Sequence, residues 1–126
     1  LEGGVPAGLP PLVAEFLATS AAAEVFRKPA GPFTLWREKA FDVLMDGRWV
    51  SGIFDRVVLH LDETGRPVRA ELLDFKTEDA AAEPLTAMSR DQMNLYRRSL
   101  VLLTGLDQAS ISVLLVAVRG GRLIPL

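Results

Sequence analysis

The sequence contains no cysteine and a single histidine, His60, among 126 residues. The first absence excludes disulfides, zinc–thiolate centres and cysteine-ligated iron–sulfur clusters. The second argues against histidine-rich metal sites and a Ser–His–Asp machine. No basic segment leads into an apolar run near Leu1, so no secretory signal is read there. The longest apolar stretch, residues 111–118, has the length of a strand and not of a membrane span. Positive charge is not in excess either: 14 Lys and Arg stand against 16 Asp and Glu, a net charge of −2. A free-standing nucleic-acid binder usually carries a basic balance. Any nucleic acid is therefore expected to be delivered by a neighbouring domain or a partner. The expectation is a cytoplasmic chain with no membrane partner.

What is present suits one domain by length, with 49% apolar residues to build one core. Residues 1–10, rich in Gly and Pro, read as a flexible tail and as a cut through a larger protein. Apolar residues then recur at helical spacing over 11–28, and Pro29 and Gly31-Pro32 stop that helix. Strands are expected over 33–45, 48–61 and 67–76. Asp46-Gly47 joins the first pair as a type I′ hairpin turn, and Glu63 to Arg66 form the second turn. An Ala/Glu/Pro segment to Met88, read as a loop with room for a helical turn, leads to a helix over 89–104, with a capping box from Ser89 to Gln92 and Gly105 at its end. A strand over 110–118 and a short one over 122–126 close the chain. The fold class is α+β: an αβββαβ order whose mixed sheet has an antiparallel meander and one parallel crossover strand.

The stretch Leu72-Leu73-Asp74-Phe75-Lys76-Thr77 carries the chemistry. On a strand, Asp74 and Lys76 share a face about 6.5 Å apart, and Phe75 points to the other. Turn length fixes register. With Met45 opposite Arg48, Glu38 falls opposite Asp55, and the second turn places Asp55 opposite Asp74. Three carboxylates in a row across adjacent strands repel one another. Lys76 compensates one charge, and a hard divalent cation would compensate the rest. Asp55 also lies between Ile53 and Val57, in a row that continues through Leu59 and Leu61, where an ion is expensive unless paired. A solvated, ordinarily charged sheet face is the competing reading.

Other candidates are weaker. Gln92 and Tyr96, at i and i+4, share a helix face, although Gln92 also serves the capping box and Tyr96 also suits a core aromatic with its hydroxyl at the rim. Arg90 falls in the expected first turn, where main-chain N–H groups hold phosphate. It reads with Arg97 and Arg98 as a solvated face. Trp36 and Trp49 suit base stacking or packing. His60 reads as a surface residue near a turn, and Asp62, Glu63 and Asp79 as loop charges.

Gly52-Ile53-Phe54-Asp55-Arg56-Val57, Leu73-Asp74-Phe75-Lys76-Thr77 and Gln92-Met93-Asn94-Leu95-Tyr96, in this order, resemble the PD-(D/E)XK nuclease superfamily. Within it they look most like the RecB/AddA-type nuclease domain at the C-terminus of bacterial helicase–nucleases, which process double-strand DNA breaks. The resemblance runs from about Leu12 to the end. It implies a restriction-endonuclease-like core and Mg²⁺-dependent DNA hydrolysis, with Mn²⁺ able to substitute. Asp55, Asp74 and the main-chain carbonyl of Phe75 would be metal ligands, and Glu38 would add to the acidic site. Lys76 would position the attacking water. Gln92 and Tyr96 would border the site and the DNA. Partners would be DNA, a helicase domain of the same polypeptide and a partner subunit. The family usually carries a metal-binding histidine on an earlier helical segment, and none precedes Glu38 here. A nuclease-like fold that grips DNA or a protein without cutting is the alternative.

Overall fold

A computed structural model of the chain describes residues 30–76, 82–118 and 121–126. The expected tail over 1–10 and helix over 11–28 lie outside them, as do Thr77 and Asp79.

The Asp46-Gly47 dipeptide turns as its chemistry dictates. Both residues take positive φ, +51° and +76°, as a type I′ turn requires. The turn joins β1 (Phe33–Met45) to β2 (Arg48–Leu61), with Met45 opposite Arg48. The second turn is built by Asp62. Its Oδ1 accepts from the Thr64 hydroxyl at 2.7 Å, from Thr64 N at 2.8 Å and from Arg66 N at 3.0 Å. These donors, the Thr64 hydroxyl foremost, hold the Asp62 carboxyl below the usual carboxylate range. Asp62 is thus a turn-forming residue, not merely a solubility charge. One irregularity between His60 and Leu61 absorbs the odd residue count, and β3 (Pro67–Lys76) runs back antiparallel to β2.

The helix α1 (Ala82–Thr104) begins before the expected capping box. Pro84 sits in its first turn, where a missing N–H costs nothing, so the helix starts upstream and Ser89 becomes a buried interior residue. Arg90 is consequently not at the N-terminus, and the phosphate argument from free main-chain N–H groups does not apply to it. The other end is as expected: Gly105 takes φ +76° and its N–H donates to Val101 O at 2.9 Å. A 3₁₀ turn (Gln108–Ser110) precedes β4 (Ile111–Ala117), which pairs parallel to β3, and β5 (Arg122–Pro125) pairs antiparallel to β4. The five strands form one mixed sheet in the order β1-β2-β3-β4-β5, an α+β arrangement with one parallel crossover. Among the described residues, no helix is long and apolar enough to cross a membrane.

One face of the sheet packs on α1 through Phe41, Phe54, Val57, Leu72, Leu115 and the helix residues Met93 and Leu100. Val58, Leu73, Val116 and Val118 are buried outside that cluster. The central strands therefore bury both faces, which is why 111–118 reads as a continuous apolar run rather than an alternation.

The alternation along β1 and β2 reverses partway. On β1 the core side chains are Phe41, Val43 and Met45, yet further up it is Trp36 that packs on the core. On β2 the core set passes from Val50 and Phe54 to Val57, Leu59 and Leu61. Both reversals fall at one rung, Glu38 opposite Asp55. There the ladder skips a pair and resumes at Arg37–Arg56 with its register intact. Glu38 takes φ +44°, a left-handed conformation that a strand residue rarely adopts.

Candidate active site

The reversal at Asp55 positions the site. The β2–β3 ladder ends at Arg56–Leu73, and the next rung by register would be Asp55–Asp74. In place of a main-chain pair, the side chain of Asp55 takes over: its Oδ2 accepts from Phe75 N at 2.8 Å. Asp55 therefore does not continue the row of Ile53 and Val57 that the sequence suggests. Ile53 is 55% exposed and Val57 is fully buried. The carboxylate sits between two regimes of the strand, aimed at the end of β3.

Asp74 lies on β3 in phase with Ala70 and Leu72, which belong to the core cluster under α1, and is only 6% exposed. Lys76 follows on the same face, with Nζ 2.8 Å from Asp74 Oδ2. That oxygen is buried, so the ion pair is little screened by water. Lys76 Nζ also donates to Gln92 Oε1 at 3.1 Å, and Gln92 Nε2 reaches Tyr96 Oη at 3.4 Å. Five of the expected residues thus form one connected constellation: Asp55, Asp74, Lys76, Gln92 and Tyr96. Because α1 starts at Ala82, Gln92 has no capping duty, and its side chain is committed to Lys76.

The two carboxylates are electrostatically opposed. Burial pushes the Asp55 carboxyl up to about 6; the Phe75 N–H works against that shift, and the neighbouring Asp74 adds to it. The Asp55 proton makes a stability prediction. With a folded pKa near 6 and an ordinary value of 3.8, the folded protein holds a proton that the unfolded chain has released between those limits. Stability therefore falls as pH rises through that window, and the cost is fully present above it. Discounted for the partial exposure of the group, the cost is about 1 kcal/mol, or roughly 4 °C in melting temperature. In chelator, the melting temperature of Asp55→Asn should gain on wild type by that amount between pH 4 and 7.5. An unchanged difference across that range would contradict the placement of Asp55.

Glu38 does not complete the expected row of three. It is exposed and left-handed at the skipped rung, and among the described residues no three His, Cys, Asp or Glu side chains converge as a metal group. The carboxylate set in contact is the pair Asp55 and Asp74. That pair still fits Mg²⁺, which keeps several waters and is commonly bound through one or two carboxylates. The buried Asp74 carboxylate and the raised Asp55 are the features such an ion would satisfy.

The remaining candidates are dispersed. Arg90 is exposed on α1. Arg98 pairs with Asp46 at 2.9 Å and Arg97 donates to Leu126 O at 2.9 Å, so both have structural partners. Trp36 packs on the core and stacks with Phe54, whereas Trp49 is 72% exposed beside the hairpin turn. His60 is not a surface residue: it is buried, with Nε2 3.3 Å from Glu71 Oε2 and Nδ1 3.4 Å from Arg69 Nη2. Sequence reasoning missed the rings that support Tyr96. Phe41 and Phe54 stack at 4.2 Å and both meet Tyr96 edge-on, at 5.4 and 5.5 Å. The only sequence signal for them was that Phe41 and Gly52 are opposite one another by hairpin count.

No family model matches the sequence, and no curated protein matches it either.

Proposed function

We propose that this chain is a metal-dependent deoxyribonuclease module with a restriction-endonuclease-like core, of the RecB/AddA type. In this reading it is the cytoplasmic exonuclease part of a larger helicase–nuclease acting in double-strand break repair, alongside a helicase domain and a partner subunit. The observation that carries it is Lys76, held at once by Asp74 on its own strand and by Gln92 on α1. A lysine fixed in this way beside two crowded carboxylates is a positioned cation, not a solvated one.

Asp55, Asp74 and the Phe75 carbonyl would hold Mg²⁺ or Mn²⁺, with Glu38 adding negative charge at the rim. When bound, the ion would polarise a phosphoryl oxygen and make a neighbouring water acidic near neutral pH. Lys76 would lend its positive charge to the phosphate as charge builds there and would position the attacking water. Gln92 fixes the Lys76 rotamer, and the Tyr96 hydroxyl fixes the Gln92 amide. Arg90, exposed on the same helix, is available to a DNA backbone phosphate by charge alone. The near-neutral overall charge suits a domain fed by a motor.

The test is a Mn²⁺ titration of thermal stability with parallel incubation on linear and circular, single- and double-stranded DNA. Saturating Mn²⁺ is expected to raise the melting temperature. A ligand at a hundred times its Kd contributes about 2.7 kcal/mol. Linear DNA should be degraded only with the ion present. Stabilisation without cleavage would select the silent, DNA-gripping alternative. A melting temperature indifferent to Mn²⁺, with no cleavage, would remove both readings.

A further inference from the structure

Gly52 is a strand residue whose backbone asks for nothing special. Its φ is not in the left-handed region, so conformational freedom does not explain it. Space does. A Cβ at this position would lie 2.8 Å from Phe41 Cζ, 2.9 Å from Phe41 Cε1 and 3.1 Å from Tyr96 Cε1. A glycine in a strand often marks such a close approach. Here the approaching groups are two aromatic side chains, one from the facing strand and one from the helix.

The surroundings decide which ring would yield. Phe41 is directly opposite Gly52 in the β1–β2 ladder. It is 7% exposed and stacked at 4.2 Å on Phe54, which is fully buried. Phe41 takes the closest contacts, and because it is backed by Phe54 and meets Tyr96 edge-on at 5.4 Å, an added methyl presses on Tyr96 both directly and through Phe41. Tyr96 is only partly buried, so of the two rings it has the more room to give. Its hydroxyl is 3.4 Å from Gln92 Nε2, already at the limit of a hydrogen bond. Any outward movement therefore breaks that contact and releases Gln92, whose Oε1 holds Lys76 Nζ at 3.1 Å.

We infer that Gly52 is a positioning residue: its missing side chain lets Tyr96 lie close enough to hold Gln92 against Lys76. The contact chain Gly52, Tyr96, Gln92, Lys76 runs from the β2 backbone to the site lysine. The inference concerns the geometry of that chain, and its consequence for hydrolysis rests on the function proposed above.

Two readouts separate the inference from that function. The first is the side-chain amide resonance of Gln92 by NMR, which needs no activity. Gly52→Ala should move it in the same direction as Tyr96→Phe, a change that removes only the hydroxyl. The second is DNA hydrolysis, which should fall on the order of ten- to a hundred-fold, the scale of a sub-ångström to ångström misplacement. Phe41→Leu makes room for the added methyl. In that background Gly52→Ala should leave the Gln92 resonance and hydrolysis near the Phe41→Leu values, and this pair also serves if Gly52→Ala alone does not fold. A Gln92 resonance unmoved by Gly52→Ala, or moved equally in both backgrounds, would overturn the inference. If the wild type does not cut DNA, the proposed function fails, and the resonance arm still decides the role of Gly52.

Discussion

Asp74→Asn is expected to abolish Mn²⁺-dependent stabilisation and to lower DNA hydrolysis about a thousand-fold, since an ion's stabilisation of transition-state charge is worth several kcal/mol and each ~1.4 kcal/mol is a factor of ten. The apo protein should stay folded. Asn keeps the shape of Asp74 at a site only 6% exposed. Two electrostatic effects then oppose each other. Lys76 loses its partner at 2.8 Å but keeps Gln92 at 3.1 Å, and Asp55 loses the neighbouring charge that helps to raise its pKa. Leaving one half of a buried pair unpaired is costly, yet relief of carboxylate crowding offsets it. The apo melting temperature should therefore move by only a few degrees. Calorimetry with and without Mn²⁺, together with hydrolysis of linear DNA, checks all of this. A variant that still binds Mn²⁺ as tightly as wild type would show that Asp74 is not a ligand.

Phe54→Ala should have the largest effect on stability, about 3–5 kcal/mol, the usual range for deleting a buried phenyl ring. Phe54 is fully buried and lies where the strands and the helix meet. It stacks with Phe41 at 4.2 Å, meets Tyr96 edge-on at 5.5 Å and contacts Trp36 at 6.3 Å. The site can collapse only if three other rings move, so the cavity term should be near its maximum. In a chain of 126 residues the melting temperature should drop by roughly 10–20 °C. Denaturant unfolding gives the same quantity directly. A loss below about 1 kcal/mol would mean that the aromatic cluster is not the keystone of the hairpin–helix contact. The same ring backs Tyr96, so activity should fall even at temperatures where the variant remains folded.

These expectations draw unequally on sequence and structure. Of the connected residues, spacing brings Asp55, Asp74 and Lys76 together, whereas Gln92 and Tyr96 share a helix face by spacing and border the site only by the resemblance. Loop length and side-chain period are local properties, and hairpin arithmetic correctly placed Met45 against Arg48 and kept Arg37 against Arg56. The Glu38 contribution and the apolar row around Asp55 were not legible. Both assumed that alternation persists along a strand, and it reverses where Glu38 adopts φ +44°. The helix start was misread for a different reason: Ser89 and Gln92 satisfy the capping pattern, but Pro84 is equally acceptable in a first turn, and nothing local ranks the two.

The sequence by itself determined the strand order, the turn chemistry and the pairing of an acid with a lysine on one strand, because backbone sterics and the two-residue period act over a few neighbours. Only the tertiary structure decided which acids share a site and what holds the lysine. The Asp55 side chain replaces a main-chain rung to meet Phe75 N, and Gln92 reaches Lys76 because α1 lies across the sheet where Gly52 leaves room for Tyr96. The two hydrogen bonds join residues 20 and 16 positions apart, and Gly52 and Tyr96 are further apart still, beyond the range of any local rule.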